Sequence, residues 1–120
     1  MSNDLSRRLF IATGAALTAS SYSRVFGANA RIGVGFIGYG LIGKRHVIDF
    51  KEQPNVDMVG VSEVHRGRLE EAKQFIGGGV KGYEDFRKLL DNRDIKAVVV
   101  STPDHWHALM TMLACEAGKD

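Results

Sequence analysis

Beyond residue 31, short apolar runs alternate with longer segments whose apolar positions recur every three to four residues. Ile32-Gly33-Val34-Gly35-Phe36-Ile37 has the length of a strand and is followed at once by glycine. From Leu41 to Phe50 the period changes. Gly43, Val47 and Phe50 fall at i, i+4 and i+7, one face of a helix. Val56 to Val61 is a second strand-like run. Arg66 to Ile76 carries Leu69, Ala72, Phe75 and Ile76 at helical spacing and stops at glycines 77–79. A short strand is expected around Val80 and Lys81. Asp85 is placed to cap a helix with Phe86, Leu89 and Leu90 on its inner face. Ile95 to Ser101, centred on Ala97-Val98-Val99-Val100, reads as a strand covered on both faces. A last helix is expected from about His105 to Ala117, ended by Gly118. Strands and helices in this alternation predict an α/β fold with a parallel sheet and right-handed crossovers.

The first thirty residues follow another pattern. Ser6-Arg7-Arg8-Leu9-Phe10-Ile11 precedes a weakly apolar run rich in Ala, Thr, Ser and Gly, which ends near Ala28-Asn29-Ala30. A basic start, an apolar stretch of this length and a small-x-small site define an export signal. The paired arginines resemble the twin-arginine signal, an address read by a receptor. That resemblance implies export of a folded protein, a periplasmic or other exterior location, and the twin-arginine translocation machinery as a partner. A short amphipathic surface helix with two solvated arginines is the alternative. Leu9 to Tyr22 is too short and too polar for a membrane span, although left uncleaved it would tether the protein.

Composition narrows the function of what remains. A chain of 120 residues is a prior for one domain, and 25% charged with 44% hydrophobic residues is ordinary for a globular protein. The net charge of +2 belongs to the leader, where Arg7, Arg8 and Arg24 face only Asp4. Residues 31–120 are therefore balanced, without the basic excess that a nucleic-acid partner requires. Cys115 is the sole cysteine, so no internal disulfide or thiolate metal cluster is expected. With Met110 and Met112 it reads as helix packing. Fourteen glycines against two prolines point to glycine in a specific task.

That task is visible between the first strand and the first helix, where Gly38-Tyr39-Gly40-Leu41-Ile42-Gly43 stands. Gly38 permits the tight turn, Gly40 lets backbone approach a pyrophosphate, and Gly43 lets the helix pack closely. The helix start offers free N–H groups and partial positive charge to phosphates. Glu63 closes the second strand, twenty positions after Gly43. A carboxylate there accepts from the adenosine ribose hydroxyls and repels a 2′-phosphate, which favours NAD. Arg66 and Arg68 lie just beyond, and they keep NADP open. A solvated strand end is the plain reading of Glu63, and ordinary turn chemistry that of the glycines. Ser101-Thr102-Pro103-Asp104-His105-Trp106-His107 follows the fourth strand. In a doubly wound sheet the loops after strands one and four flank the point where strand order reverses, so this loop is expected to border the cofactor. His105 and His107 are two apart at a helix start, with no third ligand in view, so no metal site is expected. Stacking or capping is the plain reading of Trp106 and His107.

The glycine turn, Glu63, Tyr83-Glu84-Asp85-Phe86, the Thr102 to His107 run and Ala114-Cys115-Glu116-Ala117-Gly118-Lys119 together resemble the Gfo/Idh/MocA oxidoreductases over essentially all of residues 31–120. The resemblance implies a Rossmann-like doubly wound sheet with residues 38–43 on the pyrophosphate and Glu63 on the adenosine ribose. It also implies Ser101, Thr102, Pro103, His105 and His107 along the ribose and nicotinamide side. Members of that family continue into a strand ending in Glu-Lys-Pro, whose lysine is catalytic, and then into a substrate domain. Lys119 matches the lysine closing the preceding helix, not the catalytic one. The chain is thus expected to be the N-terminal part of a longer protein, with the signal in 1–30, an incomplete NAD(P)-binding domain in 31–120, and no catalytic residue of its own.

For that whole protein the expectation is a nicotinamide-dependent oxidoreductase of sugars, polyols or related hydroxy compounds, homo-oligomeric, with NAD (or NADP) held tightly because the exterior has no nicotinamide pool. Two alternatives stand beside it: a redox-neutral NAD-using glycosidase, and a non-catalytic nucleotide-binding module.

Overall fold

The computed structural model describes residues 30–120, so the twin-arginine motif and most of the export leader lie outside the described residues. Strands and helices alternate throughout. They are β1 (Ile32–Ile37), α1 (Leu41–Lys51), β2 (Val56–Ser62), α2 (Arg66–Ile76), β3 (Lys81–Tyr83), α3 (Phe86–Leu90), β4 (Ala97–Val100) and α4 (Asp104–Glu116). The strands form one parallel sheet in the order β3-β2-β1-β4. The chain therefore leaves β1 for β2 on one side and returns to β4 on the other. The order reverses at β1, as a doubly wound fold requires.

Helices cover both faces of the sheet, because consecutive side chains of β1 point to opposite sides. On one side Val34 and Phe36 meet Val47 of α1 with Leu69 and Ala72 of α2; Val61 and Tyr39 complete the cluster. Phe50 joins it edge-on to Phe36, ring centroids 5.5 Å apart. On the other side Ile37 packs with Leu89, Leu90, Ile95, Met110 and Ala114. Each fully buried aliphatic or aromatic side chain contributes roughly 1.5–3 kcal/mol. The second face is fed through a notch in the sheet. A Cβ on Gly35 would stand 2.8 Å from Leu89 Cδ2 and 3.0 Å from Ile95 Cδ1. The register slips by one residue opposite Gly35, which pairs with Gly60 while Val34 pairs with Met58, so Val59 is a bulge.

The expected elements appear with shifts at their ends. β3 covers residues 81–83 because its pairing with Gly60, Val61 and Ser62 sets its bounds, while Val80 only packs on the core. Ile95 lies outside β4 and is fully buried beneath the Gly35 notch. Asp85 caps α3, its carboxylate accepting the Arg87 N–H at 2.9 Å. β4 does pack on both faces, Ala97 and Val99 on one and Val98 and Val100 on the other. All four residues nevertheless remain half-buried, because only the backbone of Asp120 meets the outer edge of β4 among the described residues. Phe75 is 40% exposed with the Lys51 ammonium over its ring, so α2 turns only Leu69, Ala72 and Ile76 inward. Met112 and Cys115 are exposed, and of the three residues read as packing α4 only Met110 reaches the core. Four strand-helix steps place one end of α1 and one end of α4 side by side, and the candidate site lies there.

Candidate functional site

The turn after β1 is shaped by steric necessity. Gly38 has φ +96°, and a Cβ on it would stand 2.7 Å from the carbonyl oxygen of Ser101. Only glycine meets both conditions without strain. Its N–H donates to the Ser62 carbonyl at 2.8 Å, tying the turn to the end of β2. Gly43 is needed for the turn itself: a Cβ there would collide with the carbonyl of Gly38. Gly40 is different in kind. A Cβ on it would meet nothing within 4 Å, so the backbone there faces open space. Gly40 is also the N-cap of α1, and no side chain caps that helix start. Its first hydrogen bond is the Lys44 N–H to the Gly40 carbonyl, which leaves the N–H groups of the first turn pointing outward. Leu41 and Ile42 extend into solvent beside them, 87% and 58% exposed.

Tyr39 and Glu63 are coupled across the sheet. The Tyr39 side chain is buried among Val34, Phe36 and Val47, so backbone is what it presents to the turn. Burial and, to a lesser degree, the charge of Glu71 push its phenol above the ordinary value, partly offset by Lys44. The Tyr39 N–H donates to Glu63 Oε2 at 2.8 Å and the His65 N–H to Oε1 at 3.0 Å. Glu63 is itself buried, 8% exposed. A carboxylate has about four acceptor positions; backbone amides occupy two of them here. The remainder can accept a diol, and the carboxylate ties the glycine turn to the end of β2. Sequence spacing suggested the ribose contact but not this lock. The lock depends on β2 and the turn lying side by side, which the Gly38 to Ser62 bond secures.

The loop after β4 completes the arrangement. Ser101 and Thr102 stand directly against Gly38, and the Ser101 N–H donates to Ile37 O at 2.8 Å. Ser101 Oγ is buried with no hydrogen-bond partner among the described residues. Such an orphan hydroxyl beside an open amide turn points to a missing polar partner. Thr102 Oγ1 donates to Met110 Sδ at 3.3 Å, and the Thr102 carbonyl accepts from His107 Nε2. His107 thus braces its own loop, which is its plain structural role. Pro103 is the N-cap of α4, where Asp104 stands in the first turn. His105 and Trp106 are exposed, their rings 5.5 Å apart. The structure therefore gathers Gly38 to Gly43, Glu63, Ser101 and Thr102 at the C-terminal edge of the sheet. Pro103, His105 and His107 follow on the adjoining loop.

A helix start without a cap, an open Gly40, a free-edged carboxylate and an unsatisfied hydroxyl fit a dinucleotide: pyrophosphate on the amides, ribose on Glu63. One pair at this edge escaped the sequence analysis. Arg66 Nε lies 2.9 Å from Glu84 Oε1, an ion pair between the start of α2 and the residue after β3. Eighteen positions separate its partners, and no periodicity links them.

A family model described as "Oxidoreductase family, NAD-binding Rossmann fold" matches residues 32–120. The chain is 34% identical over 97 residues to a glycosyl hydrolase family 109 protein of Shewanella pealeana, covering 72% of this chain and 21% of that protein. It is 34% identical over 94 residues to an alpha-N-acetylgalactosaminidase of Shewanella oneidensis, covering 72% and 20%. Among solved structures, it is similar to scyllo-inositol dehydrogenase from Lactobacillus casei with bound NAD(H) and scyllo-inositol. The TM-score is 0.68 at 28% identity, over 74% of this chain and 26% of that one. The chain spans about a fifth of the length of the curated relatives it matches.

Proposed function

The chain belongs to the Gfo/Idh/MocA oxidoreductases, as their NAD-binding Rossmann domain, and from that premise we propose that the whole protein is a nicotinamide-dependent oxidoreductase of sugars, polyols or related hydroxy compounds. The observation that carries the proposal is the joint geometry of the uncapped α1 start and Glu63, locked together through the Tyr39 N–H. When bound, the nicotinamide supplies a hydride acceptor or donor. The residues of this chain do the holding. Amides of Leu41 to Gly43 take the pyrophosphate, and Glu63 takes the adenosine ribose. Ser101 Oγ supplies a hydroxyl to the nicotinamide half, with Thr102, Pro103, His105 and His107 lining that side. NAD is the expected cofactor, held tightly, in a homo-oligomeric protein exported through the twin-arginine route. The Arg7-Arg8 leader and the small-x-small site at Ala30 support the export.

The test is direct. The whole protein, isolated from the compartment outside the cytoplasmic membrane, carries nicotinamide nucleotide that remains through gel filtration. Supplied with a panel of sugars and polyols, it reduces that nucleotide. Full activity in nucleotide-free protein overturns the proposal, and a leader–reporter fusion retained in the cytoplasm overturns the export.

A second reading is favoured by the glycosyl hydrolase family 109 relatives. In it the protein is a redox-neutral glycosidase that oxidises and re-reduces one sugar carbon within each turnover. Glycoside cleavage without net NADH formation supports this reading; NADH accumulating in step with substrate loss supports the first.

A further inference from the structure

Outside Glu63 the surface carries the residues that would meet an adenosine 2′-phosphate. Arg66 opens α2, and its side chain is 85% exposed. An exposed guanidinium at this place is what a 2′-phosphate seeks, since it offers paired donors to phosphate oxygens. Here it is already engaged, with Nε 2.9 Å from Glu84 Oε1. The sheet holds Glu84 in position: the Glu63 N–H donates to the carbonyl of Tyr83 at 3.0 Å, which sets the next residue beside the end of β2. The neighbouring carboxylate of Asp85 is spent elsewhere, on the Arg87 N–H at the start of α3. The start of α2 is closed as well, since His65 Nδ1 accepts the Arg68 N–H at 3.3 Å.

We propose that Glu84 is a specificity-determining residue for the cofactor: it holds Arg66 in an ion pair and so withholds from NADP the guanidinium at the start of α2 that would receive its 2′-phosphate. The inference rests on the nucleotide reading above and deepens it, adding to Glu63 a selector from the turn after β3. The two act differently. Glu63 turns the phosphate away with its own charge, whereas Glu84 removes the attraction that would compensate.

The pair is exposed, so its effect on stability is small and its effect on selectivity is modest. Titration of the whole protein with NAD and with NADP, followed by calorimetry or nucleotide fluorescence, gives the ratio of the two dissociation constants. In Glu84→Gln the ratio moves toward NADP by about three- to fivefold, by tighter NADP binding, while NAD stays within about twofold. Glu84→Asp, which keeps the charge, retains most of the discrimination. Arg66→Ala alone leaves the ratio unchanged, and Arg66→Ala in the Glu84→Gln background abolishes the gain. An unchanged ratio in Glu84→Gln, or a gain that survives loss of Arg66, overturns this inference while leaving NAD binding standing. If the unaltered protein binds neither nucleotide, the proposed function falls, and this inference with it.

Discussion

The two edges of the sheet use the same peptide dipole with opposite signs. At the N-terminal edge, where strands begin and helices end, carbonyls face outward and cations answer them. Arg31 donates to Val56 O at 3.1 Å, Lys119 to Asn92 O at 2.8 Å, and Lys51 to Phe75 O in the last turn of α2. The crowding shows in Lys119, whose ammonium is pushed below the ordinary lysine value by burial and by Lys96, against the opposing charge of Asp91. At the C-terminal edge amides face outward, and a carboxylate answers them, Glu63 taking Tyr39 and His65. A cavity of about 460 Å³ lies at the N-terminal edge. It is lined by Arg31, Asp57, Lys81, Arg93, Asp94 and Lys96, opposite the glycine turn. At that edge Lys51 meets the C-terminal turn of α2, whereas the start of α1 has no side-chain cap. Size identifies a hollow; an unsatisfied group identifies a site.

This contrast can be broken experimentally. The largest effect is expected from Gly38→Ala, which combines a positive φ with a clash against Ser101. It costs about 1–3 kcal/mol of stability, read as a lowered unfolding midpoint, and it abolishes NAD binding in calorimetry. An alanine variant that binds normally would show that the turn is not the cradle. Glu63→Ala comes next. It strands the Tyr39 N–H and removes the ribose acceptor, so the NAD dissociation constant rises by about tenfold or more, the equivalent of a lost charged hydrogen bond. A variant that loses stability but keeps its affinity would reduce Glu63 to a turn lock.

Ser101→Ala sharpens the argument from the orphan hydroxyl. Removing a buried group with no partner leaves the free protein as stable as before, or slightly more so, while NAD affinity falls severalfold by loss of about one hydrogen bond. Parallel loss of stability would mean that the hydroxyl is satisfied within the fold. The smallest effect belongs to the other edge. Lys81→Ala and Arg93→Ala, in the cavity at that edge, change NAD affinity by less than about twofold, as expected for screened and distant charges. A tenfold loss there would move the site to the opposite end of the sheet.

Much of the fold was legible because periodicity and punctuation agree along the chain. α2 falls on its expected residues, from Arg66 to Ile76, since Leu69 and Ala72 recur at helical spacing and glycine follows. The register of β2, with its bulge at Val59, was not legible, because it depends on Gly35 and Gly60 making room for Ile95. Phe75, Met112 and Cys115 were misjudged for a related reason. Apolar character says that burial is favourable, but whether a neighbour arrives to cover the side chain is decided by elements distant in sequence.

For the site, local order along the chain determined the turn: a strand, three glycines at the required spacing and a helix leave amides exposed whatever lies nearby. It also determined that a carboxylate closes the next strand. Tertiary structure alone decided which partners those groups find. Parallel pairing brings Glu63 onto the Tyr39 N–H, sets Ser101 against Gly38, and carries Glu84 to Arg66. Such contacts arise from strand order and register, which no window of neighbouring residues encodes.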